Sequence, residues 1–343
     1  MINPVSTSSI LATPKLAVAD LQAKITDVEY EATSGLIANH VETLGSQIGL
    51  DQSLRTQATT LTNLQNANSV VNTGMTASQD ALKNITADAQ TFLKTLVTAQ
   101  GTGNVNTLAT AASSFLDAFK NYANTTSGGV YLFSGTNSSA TAMNSYSGAA
   151  QTATATAFQY EFGFAQSDPQ VSSISSDALN TFLSGQYANL FGDTAWTANW
   201  SQAASTNTSA IISPGLSVQT SVSAYGTAFR QLASAYTSIA DLGIDSMNAT
   251  TRQTLISNAM KQVSTAMSGI SDMQTTLGFS QSRIKDVNTA LQAQTNTINS
   301  TVSKLDNSDP YQTAEQLNNL TMQIETAYNL TSRISKLSLV NYL

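Results

Sequence analysis

The sequence predicts a mainly α protein: an elongated antiparallel helical-bundle or coiled-coil rod formed by N- and C-terminal segments, with an inserted, partly β central domain. Two observations lead to this prediction. Two long stretches, 54–99 and 256–305, carry apolar residues at heptad spacing, which is the pattern of helices that pack in pairs. The stretch between them, 128–214, holds both tryptophans and lacks that spacing.

Residues 1–49 are predicted to form an N-terminal assembly segment that is poorly ordered in the monomer. Pro14 suits the first turn of a helix. The apolar positions after it are Val18, Leu21, Ile25, Val28 and Ala32, spaced at four and three. Gly35 ends this run, and 36–49 is interpreted as an irregular connector that contains the only histidine, His40.

Residues 50–127 are predicted to be the N-terminal half of the rod. One heptad position is occupied by Leu54, Leu61, Asn68, Met75, Leu82, Ala89 and Leu96. Because Asn68 is the polar member of this seam, it is expected to specify the register of the helix pair at some cost in stability. A shorter helix should follow from Leu108 to Tyr122 and end before Gly128.

Residues 128–214 are predicted to be an inserted variable α+β or β domain. Phe158, Tyr160, Phe162 and Phe164 alternate with other residues, and this period of two predicts a half-buried strand. These aromatics, with Trp196 and Trp200, could form either a domain core or a carbohydrate-binding face, and the core is the favoured interpretation.

Residues 215–306 are predicted to be the C-terminal half of the rod. Helical spacing resumes at Leu216 and Val218 and continues to Ile239, and a turn at 242–245 leads into the second seam. The seam repeats an aliphatic residue every seven positions, at Ile256, Val263, Ile270, Leu277, Ile284, Leu291, Ile298 and Leu305. A helix with such a stripe needs a partner helix to bury it.

Residues 307–343 are predicted to be a C-terminal assembly helix that begins near Tyr311, after the break at Asn307-Ser308-Asp309-Pro310. The seams at both chain ends are short and mix apolar with polar residues, which favours packing between subunits. The predicted subunit-interface residues are Val18, Leu21, Ile25, Val28, Leu317, Leu320, Ile324, Ala327, Ile334 and Leu337.

Composition argues against several functional classes. The net charge is −7, so we expect neither a nucleic-acid nor an anionic-membrane partner. No run approaches the roughly 18 apolar residues that a membrane span needs, so we expect no membrane insertion. Cysteine is absent and His40 is alone, which leaves no convergent set of metal ligands. No nucleophile is paired with a base. We therefore predict a protein that is not an enzyme and uses no cofactor or metal, without a conventional signal peptide.

Several short stretches resemble one protein family. They are the ending Ser338-Leu339-Val340-Asn341-Tyr342-Leu343, the preceding TAYNLTSRIS (326–335), VYLFSG (130–135), ATSGL (32–36) and GLDQSLR (49–55). Together they resemble the flagellin superfamily, and most closely its hook-associated protein three branch, the hook–filament junction proteins. The resemblance covers roughly 13–135 and 216–343.

The resemblance implies a structural protein of the bacterial flagellum that joins hook to filament and polymerises through its terminal helices. It implies type III export without a cleaved signal, so the protein would be secreted. The implied partners are copies of itself in a helical ring, a neighbouring hook-associated protein, flagellin and an export chaperone. The alternatives are a filament flagellin, a surface adhesin or glycan-binding module that uses the insert, and a secreted hydrolase.

Overall fold

The computed structural model describes the backbone of residues 7–340 and the side chains of residues 12–334. This part of the chain is mainly helical with two small antiparallel sheets, which confirms the predicted fold class. No helix in it carries an apolar run long enough to cross a bilayer. The chain forms two compact units, one of residues 1–63 and 291–343 and one of residues 64–290. The five-segment division inferred from the sequence stays a prediction.

The α-helices are α1 (Thr7–Ser34), α2 (His40–Leu44), α3 (Ile48–Thr102), α4 (Leu108–Ala123), α5 (Ala149–Phe162), α6 (Ser176–Ser184), α7 (Gln186–Asn189), α8 (Asp193–Ala195), α9 (Thr227–Asp241), α10 (Ala249–Asp306) and α11 (Pro310–Val340). A π-helical turn, Trp196–Trp200, continues α8. The strands form two hairpins, β1 (Thr126–Ser127) with β2 (Val130–Tyr131) and β3 (Ser209–Ser213) with β4 (Leu216–Gln219).

In the unit of residues 64–290, α3 and α10 run antiparallel and bury their heptad stripes. Gln79 Nε2 donates to the carbonyl of Gln274 at 2.7 Å, and Gln100 Nε2 donates to Ser257 Oγ at 2.9 Å. The buried seam residues are Met75, Leu82, Ile85, Ala89, Phe92 and Leu96 on α3 and Ile256, Val263, Ile270, Leu277 and Ile284 on α10. The apolar stripe of each helix packs against the other helix, as the heptad spacing predicts.

Asn68 lies buried in this seam and connects three elements. Its Nδ2 donates to the carbonyl of Ile212 in β3 at 3.0 Å and to Asn288 Oδ1 in α10 at 2.8 Å. These bonds depend on one longitudinal position of α3 against α10, because both acceptors must be within reach of a single amide. The seam asparagine therefore aligns the two helices, as predicted, and also anchors the β3–β4 hairpin.

Helices α4 and α9 pack together through aromatic side chains that also reach the seam. Tyr236 of α9 lies 4.9 Å from Phe92 and 6.1 Å from Phe119 between ring centroids, and Phe229 lies 5.3 Å from Phe119. Such tilted contacts are the arrangement that aromatic pairs prefer. The cluster joins α4 and α9 to α3 in one core.

The insert between α4 and α9 has an aromatic core of its own. Trp196 and Trp200 are both buried, with ring centroids 5.6 Å apart, and Phe182 packs against Tyr187 at 5.7 Å. The two tryptophans are therefore core residues, which confirms the favoured interpretation. They form no exposed face that could stack on a sugar.

The strand predicted through Phe158–Phe164 is wrong, because Phe158, Tyr160 and Phe162 lie in helix α5. Phe158 and Phe162 are four residues apart, so a helix places them on one face, and both contact the core. Tyr160 is 78% exposed on another side, whereas a strand would have placed it beside Phe158. Phe158 and Phe162 fit both the two-residue period of a strand and the four-residue spacing of a helix. Their packing against the core selected the helix.

The helical start predicted at Leu216 is also wrong. Leu216 and Val218 lie in strand β4, and α9 begins only at Thr227. The hairpin forms because Pro214 and Gly215 turn the chain between Ser213 and Leu216, and Gly215 has φ +74°, a conformation that favours glycine.

Gly135, the last residue of the VYLFSG stretch, has a steric role in this unit. Its φ is +59°. A Cβ atom at this position would lie only 2.5 Å from the carbonyl oxygen of Thr206 and 2.8 Å from that of Ala204. The glycine therefore allows the chain that leaves β2 to pass directly against the segment that precedes β3.

Asp241, the last residue of α9, is a partly buried carboxylate. Its side chain is half-buried, and its Oδ2 accepts a 2.5 Å hydrogen bond from the Tyr146 hydroxyl. Burial raises the pKa of this carboxyl, while hydrogen bonds from Tyr146 and Gln151 partly offset the rise. The folded protein therefore holds the proton of Asp241 more tightly than the unfolded chain does.

Asn68→Leu should lower the free energy of unfolding by about 1–3 kcal/mol, because the Ile212 carbonyl and the Asn288 side chain lose their partner inside the fold. The control is Asn66→Leu, at an exposed position two residues earlier on α3. Denaturant unfolding of both purified variants measures the difference. Equal stability of the two variants would contradict the anchoring role of Asn68.

Asp241→Asn should be more stable than the natural protein at pH 7.5, and the difference should shrink towards about pH 4. The pKa of Asp241 is higher in the folded protein than in the unfolded chain. Protonated Asp241 therefore contributes to the free energy of unfolding, and this contribution is lost as the pH rises through the folded-state pKa. The amide stays neutral and can still accept from Tyr146. Asp80→Asn, at an exposed position on α3, is the control. Thermal unfolding midpoints at both pH values test the sign, and a variant that is less stable at pH 7.5 would disprove it.

Candidate assembly interface

The unit of residues 1–63 and 291–343 contains the two terminal helices, α1 and α11, packed against each other. Gln22 Nε2 on α1 donates to the Tyr328 hydroxyl on α11 at 2.7 Å. Helix α1 begins at Thr7, so Pro14 lies inside the helix rather than in its first turn as predicted. Helix α11 begins at Pro310, after the predicted break.

The predicted interface residues lie along the seam between these two helices. On α1, Val18, Leu21 and Ile25 are half-buried and Val28 is buried. The half-buried residues on α11 are Leu317, Leu320, Ile324, Ala327 and Ile334. Leu337 lies outside the described side chains. The assignment of all ten residues to a subunit interface stays a prediction.

In the described part of the chain, this seam is only partly buried because two helices alone form it. A pair of helices covers only the stripe along which they touch, and each helix keeps its flanks in solvent. The buried α3–α10 seam of the other unit has α4, α9 and the insert packed around it. Among the described residues, no third helix has comparable contact with α1 and α11. The terminal seam is therefore incompletely covered in the single chain.

Helix α11 also exposes apolar side chains away from the seam. Tyr311 is 89% exposed, Met322 58% and Leu330 56%. At about 100° per residue, Tyr311 and Met322 lie about 20° apart around the helix, whereas Met322 and Ile324 lie about 160° apart. Leu330 lies about 40° from Ile334 and borders the seam. We call Tyr311 and Met322 the outer face of α11. Sequence reasoning missed this face because its residues fall outside the regular stripe.

A groove of about 580 Å³ lies at the end of the terminal pair nearest the helix breaks. Val28, Ile37 and Leu320 supply its apolar part. Its charged lining residues are Lys24, Asp27, Glu31, Glu42 and Asp309. No cluster of three or more potential metal-ligating side chains occurs among the described residues.

The break between α1 and α2 and the break between α10 and α11 lie side by side. Leu36 and Asn307 form an antiparallel bridge. The Ile37 N–H donates to the Asp306 carbonyl at 2.8 Å, and the Ser308 N–H donates to the Gly35 carbonyl at 3.0 Å. We call these two breaks, 35–39 and 307–309, with their bridge the joint.

Charged side chains surround the joint. Asp306 Oδ2 accepts from Arg55 Nη2 at 2.5 Å, and Asp306 Oδ1 lies 3.1 Å from His40 Nε2, which can donate to it. Arg55 Nε also donates to Asp51, at 2.8 Å to one carboxylate oxygen. These four residues connect the start of α2, the first turns of α3 and the last residue of α10.

The pKa values at the joint reflect these contacts. Burial alone would raise the pKa of Asp306, but hydrogen bonds and charge attraction from Arg55 and His40 outweigh it and lower that pKa. Hydrogen bonds to Asp51 and Asp306 raise the pKa of Arg55. The Arg55–Asp306 pair is therefore ionised throughout the neutral range.

Sequence reasoning placed His40 in a plain loop, and this is wrong, because His40 begins helix α2 and faces Asp306. It also overlooked Arg55 and Asp306. Asp51 and Arg55 are visible as a pair at helical spacing. The partner Asp306 lies 251 residues after Arg55, and no local pattern could have indicated it.

Comparison with known families gives two matches. Residues 5–138 match the family described as "Bacterial flagellin N-terminal helical region", and residues 260–343 match "Bacterial flagellin C-terminal helical region". Together the two ranges cover well over half of the chain and include all ten predicted interface residues. Comparison with curated protein sequences finds no match.

A solved structure shares the fold. It is described as "Structure of putative flagellar hook-associated protein from Vibrio parahaemolyticus", and it aligns with a TM-score of 0.54 at 10% sequence identity. The alignment covers 77% of this chain and 99% of the other. Identity this low is evidence for the fold alone. From the two family matches, the chain belongs to the flagellin family, whose members are structural proteins of the bacterial flagellum.

Proposed function

We propose that this chain joins the hook to the filament of a bacterial flagellum and assembles through α1 and α11. The observation that carries the proposal is the incomplete burial of the terminal pair. Its seam is half-buried, and α11 exposes a second, outer face. Burying a large apolar side chain contributes about 1.5–3 kcal/mol, so contacts with neighbouring subunits would stabilise this pair.

The junction role, rather than a general flagellar one, is supported by the resemblance of VYLFSG (130–135) and of the ending 338–343 to junction proteins. The similar Vibrio parahaemolyticus protein, named as hook-associated, is consistent with this role. The proposed partners are copies of the chain in a helical ring, a neighbouring hook-associated protein and flagellin. An export chaperone would cover the terminal helices during type III secretion.

Filament flagellin is the second candidate, because both family matches are to flagellin helical regions. The adhesin alternative has less support, because Trp196 and Trp200 are buried. We expect no catalytic activity, in keeping with the structural role of the family.

Deletion of the gene in the source bacterium separates the two candidates. The junction role predicts hooks without filaments, with intact filament protein released into the medium, as seen by electron microscopy and immunoblotting. Loss of the filament without released filament protein would instead identify this chain as the flagellin. Normal filaments in the deletion strain would disprove both. As a biochemical check, the purified protein should not form long filaments in bulk.

Met322→Asp should reduce incorporation into flagella by about tenfold or more, which is the effect of losing about 1.4 kcal/mol of contact energy. Because Met322 lies on the outer face, the monomer should keep its helix content and thermal midpoint. Ile324→Asp should reduce both incorporation and monomer helix content, because it places a charge in the α1–α11 seam.

The matched control is Thr321→Asp, an exposed position whose hydroxyl bonds only to the Leu317 carbonyl of its own helix. The measurements are immunoblots of purified flagella and circular dichroism of the secreted monomer. Incorporation of Met322→Asp at the level of the control would remove the outer face from the interface.

A further inference from the structure

The joint is held by few backbone contacts. The Leu36–Asn307 bridge is isolated, and the hydrogen bonds from Ile37 and Ser308 are the two that close it. An isolated bridge of this kind is a weak constraint compared with a continuous ladder of strand pairs. Side chains add to this restraint. Ser308 Oγ donates to the Glu31 carbonyl at 3.3 Å, and Asp306 contacts Arg55 and His40.

Asp306 is placed where a carboxylate is unfavourable unless it has partners. It is the last residue of α10, where the helix dipole already concentrates negative charge. Each of its oxygens contacts a different element, Oδ1 with His40 of α2 and Oδ2 with Arg55 of α3. Its own backbone carbonyl accepts from Ile37. One residue thus connects the end of α10 to both segments that follow α1.

Arg55 is itself held in place. It lies one helical turn after Asp51, which is buried and accepts two hydrogen bonds from Arg55 Nε, at 2.8 and 3.0 Å. The guanidinium is therefore pre-positioned, and Asp306 docks against a fixed group. A planar guanidinium that donates to two carboxylates has a defined orientation, unlike a flexible ammonium group.

We propose that Asp306 is a positioning residue for assembly: it clamps the two helix breaks together and fixes the direction in which the α1–α11 pair leaves the joint. This inference rests on the proposed function. Helix α11 has 31 residues and is about 46 Å long, so a 10° rotation at the joint would move its far end by about 8 Å. A displacement of that size separates side chains that must meet a neighbouring subunit.

Asp306→Asn is the first test, since it removes the charge while keeping a similar shape and an acceptor for His40. The variant should be secreted and folded, with about a tenfold or greater loss of incorporation into flagella. Asp286→Asn is the matched control, because Asp286 is exposed on the same helix. Quantitative immunoblots of purified flagella give the incorporation, and circular dichroism of the secreted monomer checks its fold.

A disulfide across the joint is the second test. The natural chain has no cysteine, so the introduced pair has no other cysteine in the chain to react with. Leu36 and Asn307 form a non-hydrogen-bonded antiparallel pair, whose Cα atoms lie about 4.5 Å apart, within the range that a disulfide spans. Leu36→Cys with Asn307→Cys, added to Asp306→Asn, should restore incorporation under oxidising conditions. Dithiothreitol added during assembly should abolish that rescue.

The control disulfide distinguishes positioning from general stabilisation. Thr126→Cys with Tyr131→Cys links another antiparallel pair, in the β1–β2 hairpin, and should leave the Asp306→Asn defect unchanged. Equal rescue by both disulfides would overturn the proposal, and so would normal incorporation of Asp306→Asn.

The deletion strain tests the junction role independently. A filament defect in that strain, together with normal incorporation of Asp306→Asn, would disprove the clamp alone. Reduced incorporation of Asp306→Asn with normal filaments in the deletion strain would disprove the junction role, and the flagellin alternative with it, but not the clamp.

Discussion

The need of a long amphipathic helix for a partner is the constraint on which this structure depends. An apolar stripe on a long helix cannot be buried by the helix itself, and its stability comes from tertiary packing. Helices α3 and α10 meet this need for each other, and Leu82, Phe92 and Ile270 become inaccessible to solvent. Asn68 then aligns the pair, because its amide has to reach acceptors in both α10 and β3.

The terminal pair obeys the same constraint but satisfies it only in part. Helices α1 and α11 cover each other's stripe, yet residues such as Ile25 and Ile324 stay half-buried and Met322 faces solvent. Incompletely buried apolar surface favours association between subunits. Incomplete burial of the terminal pair is therefore consistent with a family of proteins that polymerise. The two pairs differ in the length of their helices and in their surroundings, because α4, α9 and the insert pack around α3 and α10.

The helices of this chain carry many hydroxyl side chains and few charged ones. Only 10% of its residues are charged. Threonine and serine side chains along the helices bond to the carbonyl four residues earlier, as Thr56 and Thr297 do, which satisfies their hydroxyls locally. Two of the few charged side chains, Asp306 and Arg55, meet beside His40 at the joint.

Much of the fold and part of the candidate site could be predicted because their signals are local. The heptads of 54–99 and 256–305, the break at 307–310 and the seam role of Asn68 all follow from spacing that a single helix imposes on its own sequence. The same reasoning located the apolar stripes of the terminal helices, although it could not say how completely they would be covered.

The errors occurred where two local patterns compete or where the partner is distant. The spacing of Phe158 and Phe162 fits a strand and a helix equally well. Packing of both rings against the insert core selected the helix, which leaves Tyr160 exposed. The joint depends on Asp306 meeting Arg55 and His40, which precede it by 251 and 266 residues. The sequence by itself determined which helices carry apolar stripes, because helical periodicity is written in neighbouring residues. Only the tertiary structure decided how far each stripe is buried and which charges meet, because both depend on chain segments that are remote in sequence.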